Sequence, residues 1–190
     1  MAQLFLYLIS AFLLLIGAFV VFRICVRRDY RRKGRLTPFS GFLELLTWGL
    51  YMSFPYVYNP SNWPWTHGPH LSPVLRVVGW IVIGLGAAIA FPAMAWLGLR
   101  RSLGQEVNVL KRTGFYRLTR NPQIVGGALL VVGSALLWPS WYALGWLFLY
   151  AAVAHMMVLT EEEHLRDAYG EEYARYCERV PRYLGFPWRS

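Results

Sequence analysis

Apolar residues fill whole windows of this chain instead of recurring on one face. Residues 4–22 are nineteen consecutive uncharged positions, and residues 77–99 are twenty-three. Each run is long enough to cross a hydrocarbon layer of ~30 Å at ~1.5 Å per helical residue. Residues 39–58 carry one charge, Glu44, and residues 141–159 carry only His155 as a titratable interruption besides tyrosine. A shorter run, 122–138, leads through the turn "WPSW" into the last one, and the two predict a tight helical hairpin. The pattern predicts an all-α, polytopic membrane protein with five transmembrane helices and a polar C-terminal segment.

The polar positions between these runs set an orientation. Arg23, Arg27, Arg28, Arg31, Arg32, Lys33 and Arg35 follow the first run as a stop-transfer cluster. That run lacks both a basic leader and a small-residue cleavage pattern, so it reads as a retained anchor. Arg100, Arg101, Lys111, Arg112, Arg117 and Arg120 lie between the third and fourth runs, and Arg166, Arg175, Arg179, Arg182 and Arg189 in the tail. Only Arg76 falls elsewhere. Five spans with an external N-terminus put all three basic segments and the C-terminus in the cytoplasm, as the positive-inside rule requires. The loop "YNPSNWPWTHGPHLSP" then lies outside as an aromatic belt.

Composition changes this picture little. The chain has 190 residues, 56% hydrophobic and 15% charged, with a net charge of +9. Such basicity suggests nucleic acid when it coats one soluble face, but here it punctuates apolar runs, and topology accounts for it. No nucleic-acid partner is expected. Cys25 and Cys177 both fall on predicted cytoplasmic elements, which argues against a disulfide, and no metal-ligand spacing occurs. Without an internal repeat or a low-complexity linker, residues 1–190 read as one integral membrane domain.

The polar segments are too short for a separate catalytic domain, so any site must lie where helix ends meet the loop and tail. "RNPQIVGG" starts the fourth run: Asn121 suits a helix cap and Pro122 the first turn. That end offers free N–H groups and positive partial charge to an anion, with Arg120 adding a forked donor. The alternative is a plain helix start with Arg120 as an interfacial anchor. Gly126, Gly127, Gly133 and Ser134 admit close approach by a neighbouring helix or by a flat ligand. After the fifth run comes "TEEEHLRDAYGEEYARYCERVPR". Glu161, Glu162 and Glu163 are costly against lipid and require water or a cationic partner. Beyond them Leu165, Ala168, Tyr169, Tyr173, Tyr176, Cys177 and Val180 share one helical face, interrupted at Gly170, which also describes an amphipathic helix lying on the membrane. Glu44 and His155 either line an acceptor cavity or pair with other polar groups.

Together these two segments resemble the isoprenylcysteine carboxyl methyltransferase family, within a wider group that includes phospholipid methyltransferases and sterol reductases. The family's first motif, Arg-His-Pro-x-Tyr-x-Gly preceded by Gly-Pro-Tyr, is met in "GFYRLTRNPQIVG" at Gly114, Tyr116, Arg120, Pro122 and Gly126. Its second motif, Glu-Glu-x-x-Leu-x-x-x-Phe-Gly-x-x-Tyr-x-x-Tyr, is met at Glu161, Glu162, Leu165, Gly170, Tyr173 and Tyr176, with Tyr169 in place of Phe, and Arg179 to Pro181 follows. Asn121, Ile124 and Phe115 depart from His, Tyr and Pro, and Asn121 removes an imidazole.

The resemblance implies a cytoplasmic pocket for S-adenosylmethionine within residues 110–190, between the fourth and fifth spans and closed by the C-terminal amphipathic segment. It implies Arg120 and Glu162 as catalytic residues. The cofactor-binding set is Gly114, Tyr116, Arg120, Asn121, Pro122, Gly126, Glu161, Glu162, Tyr173, Tyr176, Arg179 and Pro181. Arg120 and the helix end suit a carboxylate, the two glutamates the cationic groups, and the tyrosines an adenine. The methyl acceptor is expected to be lipophilic or membrane-associated: a prenylcysteine or other carboxylate, a phospholipid amine, a small thiol or an isoprenoid acid. "YCERVP" also resembles the end of NADPH-dependent sterol reductases, which generally carry about twice as many spans. A non-enzymatic scaffold recruiting a partner or anionic lipid is the further alternative.

Overall fold

The computed structural model describes residues 2–58, 71–97 and 113–185, which are helical with short connections and contain no strand. Residues 59–70, expected as an aromatic loop, and the basic residues Arg100, Arg101, Lys111, Arg112 and Arg189 lie outside the described residues. Helix α1 spans Ala2–Lys33, α2 Pro38–Tyr58, α3 Pro73–Leu97, α4 Pro122–Leu137, α5 Trp141–Tyr169 and α6 Glu171–Arg179. Three of them, α1, α3 and α5, are long and apolar enough to cross a membrane. Helix α2 is nearly as long but more polar, with Glu44, Ser40 and Thr47 along it, and α4 is shorter, with 16 residues.

Two helices run on beyond their apolar spans. The apolar run stops at its arginines but the helix does not: α1 continues through 32 residues, with Val20–Val26 wound as a π-helix, to a left-handed Gly34. Arg23 and Arg27 are therefore carried on the rod itself, where Glu163 meets both at 2.7 and 2.6 Å. Likewise α5 continues without a break from its apolar stretch through the three glutamates to Tyr169, where Gly170 at φ 48° ends it. The interruption at Gly170 agrees with the sequence reading.

The main core lies between α1, α2 and α5. Tyr7, Leu14, Ala18 and Val21 form the inward stripe of α1, while Phe5, Phe12 and Leu13 face outward and exposed, as expected of a surface solvated by lipid chains. Pro55 inside α2 cannot donate to the carbonyl four residues earlier, which is that of Tyr51. Trp146 Nε1 fills the vacancy with a hydrogen bond of 3.2 Å to that oxygen, and its ring stacks on Tyr51 at 5.4 Å.

Helix α4 is held against α3 by glycines. A Cβ on Gly126 would come within 2.6 Å of the Ala90 nitrogen and 2.8 Å of the Gly86 carbonyl; one on Gly133 would reach the Gly79 carbonyl at 2.8 Å. Gly79 faces Gly133 and Gly86 faces Gly126, both spaced seven residues apart on antiparallel helices, so two turns of backbone touch directly. Gly127 points the other way and leaves room for the Tyr150 hydroxyl, which donates to the Ile124 carbonyl at 2.8 Å. The small side chains of α4 thus serve close packing against α3 and α5.

Candidate functional site

The two motifs meet at the polar end of the bundle. Gly114–Arg117 forms one 3-10 turn, entered through Gly114 at φ 62°, a backbone conformation that glycine adopts without strain. Asn121 and Pro122 then start α4, with Pro122 in the first turn. Asn121 makes no side-chain cap to its own helix. Its side chain instead donates to the Arg182 carbonyl at 3.1 Å, and the Thr119 hydroxyl donates to the same oxygen at 3.1 Å. The backbone N–H of Arg120 donates to the Pro181 carbonyl at 2.9 Å. Tyr176, from α6, donates to the Tyr116 carbonyl at 2.6 Å. Three hydrogen bonds therefore clasp the first motif to the tail that follows the second, and a fourth, from Tyr176, ties it to the second motif itself.

At the centre of that clasp sits Glu162, 5% exposed on α5. Arg182 meets it with a forked contact: Nε lies 3.1 and 3.0 Å from its two oxygens, and a terminal nitrogen 2.7 Å from Oε2. Arg120 approaches Oε1 at 3.3 Å and also donates to the Cys177 sulfur. The hydrogen bonds that Arg182 donates to Glu162 raise its hold on its own proton further. Tyr173 is buried beside Glu162, Cys177 and Arg120, and its ring lies 6.1 Å from that of Tyr176.

The residues expected in a pocket separate into groups. Arg120, Asn121, Glu162, Tyr173, Tyr176 and Pro181 converge as described. Tyr116 is buried with its hydroxyl 3.3 Å from Gln123, and Pro122 is buried at the helix start. Gly126 abuts α3. Glu161 turns to the other side of α5, near enough to Tyr30 and Glu44 to interact with them electrostatically. Arg179 is exposed, on the outer side of α6. His155, expected within the last span, is exposed and hydrogen-bonds the Tyr183 hydroxyl at 3.0 Å. Cys25 and Cys177 are both free thiols.

Arg182 and Cys177 were absent from the expected site. Their signals were weak: Arg182 follows Pro181 and reads as one more interfacial cation, and Cys177 reads as part of an apolar helical face. Nothing in spacing distinguishes an arginine that returns across a turn to a glutamate twenty residues earlier. Arg23 and Arg27 were similarly legible only as topology signals, whereas they bind Glu163. Burial works against ionisation of Glu163, but hydrogen bonds and charge from Arg23 and Arg27 prevail and hold its carboxyl below the usual range.

The arrangement has one carboxylate between two arginines, leaving a surplus positive charge in a largely buried setting. The Arg120 side chain is 10% exposed, and its Nε is buried without a hydrogen-bond partner among the described residues. An orphan donor of this kind calls for an acceptor, and a carboxylate-bearing ligand supplies one. Residues 74–172, about half the chain, match the family model described as phospholipid methyltransferase. That range contains both motifs up to Glu172 and leaves the clasping tail outside. No curated protein and no solved structure matches the chain.

Proposed function

The chain belongs to the phospholipid methyltransferase family, and on that premise we propose that it is an S-adenosylmethionine-dependent methyltransferase acting on a lipophilic acceptor inside the membrane. The observation that carries the reading is the meeting of Arg120, Glu162 and Arg182, with one guanidinium donor still lacking an acceptor. The cofactor, when bound, supplies an electrophilic methyl group on a sulfonium together with a carboxylate and an ammonium. Arg120 and the start of α4 hold the carboxylate. Glu162 keeps Arg120 and Arg182 oriented and offers negative charge to the cationic groups. Tyr173 and Tyr176 close the site from α6 and exclude water, while the backbone clasp from Thr119, Arg120 and Asn121 keeps the tail over it. Orientation and dryness are the main requirements of such a displacement.

In this proposal five segments cross the membrane, with α2 and α4 completing the set, the N-terminus outside and the site at the cytoplasmic interface. An acceptor then enters sideways between helices while the cofactor enters from water. A carboxylate of the prenylcysteine type and a phospholipid amine are both suited to this geometry. The test is direct binding of radiolabelled S-adenosylmethionine and of NADPH to the purified protein. Saturable binding of the first, weakened by Arg120→Ala, supports the reading; preference for NADPH, or binding of neither, overturns it. Incubating a lipid extract with methyl-labelled cofactor and identifying the labelled product by mass spectrometry then fixes the acceptor.

A further inference from the structure

A second polar feature lies on the outer side of the clasp. Arg117 ends the 3-10 turn, and Arg175 and Arg179 stand one helical turn apart on α6; all three are exposed. They line one cleft, with Tyr176 and Val180 as its floor. Among the described residues none of the three is paired with a carboxylate. The acidic residues of α6, Glu171, Glu172 and Glu178, are exposed and do not line this cleft. Three forked donors facing one space, without a neutralising side chain among the described residues, are suited to an oxyanion with several acceptors, above all a phosphate.

The same turn has an apolar side. Phe115 and Leu118 flank Arg117 and, with Pro92, Trp96, Gly114 and Tyr116, line a second groove against the end of α3. Leu118 is 71% and Trp96 57% exposed. Because α3 is one of the helices long and apolar enough to cross a membrane, its end suits this groove to the depth where headgroups give way to chains. The two spaces share a wall: Tyr176 from the cleft donates its hydroxyl to the carbonyl of Tyr116 from the groove. A cation cluster next to an exposed apolar groove is complementary to an amphiphile with a phosphate at one end.

The geometry points to a binding site for an anionic phospholipid, its phosphate held by Arg117, Arg175 and Arg179 and one acyl chain lying along Trp96, Phe115 and Leu118. The site is distinct from the Arg120–Glu162–Arg182 cluster and concerns binding, so it does not depend on the transfer chemistry. Its position on the clasp means that an occupying lipid holds the 3-10 turn against α6 and couples membrane composition to closure of the tail.

The test is lipid retention by delipidated protein in detergent, measured by native mass spectrometry with phosphatidylglycerol, phosphatidylcholine and inorganic phosphate as separate probes. Each arginine that holds the lipid phosphate contributes about fivefold to affinity, so Arg117→Gln with Arg175→Gln should lose about thirtyfold for phosphatidylglycerol. Arg28→Gln with Arg31→Gln, two exposed arginines on α1, removes the same charge elsewhere and should leave retention unchanged. Leu118→Ser should weaken phosphatidylglycerol without altering inorganic phosphate. Equal losses in the two arginine pairs would reduce the effect to general charge and overturn the site. Inorganic phosphate bound as tightly as the lipid would overturn the lipid assignment. S-adenosylmethionine binding by the Arg117, Arg175 variant, measured in parallel, is expected at the parental level, which separates failure here from failure of the methyltransferase reading.

Discussion

Replacing Glu162 with Gln keeps the shape of the side chain and removes its charge, which tests how the polar end of the bundle is held. Two arginines depend on that charge but differ in what they can do without it. Arg182 is 35% exposed and can swing into solvent, whereas Arg120 is 10% exposed, already has one donor unmatched, and sits between α4 and α6. Stranding a buried charge costs about 3–5 kcal/mol. Because a glutamine still accepts one hydrogen bond and Arg182 can escape, the lower end, about 3 kcal/mol, is expected. Arg182→Ala should cost less, about 1–2 kcal/mol, since Glu162 keeps Arg120. Removing the stranded partner as well, in Glu162→Gln with Arg120→Met, should recover part of the loss, giving a clearly non-additive cycle. Thermal unfolding of the detergent-solubilised protein, followed by intrinsic fluorescence, gives the ranking. A Glu162→Gln protein within about 0.5 kcal/mol of the parent, or a double variant that merely adds the single effects, would refute the assignment of Glu162 as the charge that organises this end.

Other outcomes follow from separate parts of the fold. Gly126→Val forces side-chain atoms onto the backbone of Gly86 and Ala90 and should cost about 3 kcal/mol or more by overpacking, while Gly17→Ala, with nothing within 4 Å of the added carbon, should be neutral or slightly stabilising in the same unfolding assay. Tyr176→Phe removes the buried hydrogen bond to the Tyr116 carbonyl and should cost about 1–2 kcal/mol, visible as faster amide exchange across residues 113–118. Glu163 has a folded-state carboxyl held below its ordinary range, so its contribution is complete above the unfolded pKa of ~4.3 and is lost as pH falls through the lower folded value. Melting curves from pH 6 to pH 3 should therefore show the parent losing stability relative to Glu163→Gln only in the acidic part of that range, with no change in their difference between pH 6 and 8.

Much of the architecture was legible in the sequence because a hydrocarbon solvent imposes a simple rule: uncharged runs of about twenty residues must satisfy their backbone internally and become helices. The lengths of the apolar runs, the Asn121–Pro122 start of α4, the break at Gly170 and the family motifs around Arg120 and Glu162 all follow from composition at short range. Where the rods end did not. Arg23 and Arg27 read as topology signals, and nothing local shows that α1 carries them on towards Glu163, far along the chain, which compensates their charge. The glycines of α4 allowed either a ligand or a helix as neighbour, and only the antiparallel register that brings Gly79 to Gly133 and Gly86 to Gly126 selects the helix. Arg182 gained its place opposite Glu162 because the chain turns back after Pro181 and is clasped by Thr119, Arg120 and Asn121. Local pattern determines which segments are helical and apolar, since that depends on each residue and the solvent. Which charges neutralise one another is decided by tertiary packing, because a buried ion needs a partner within a few ångströms and sequence separation places no limit on where that partner comes from.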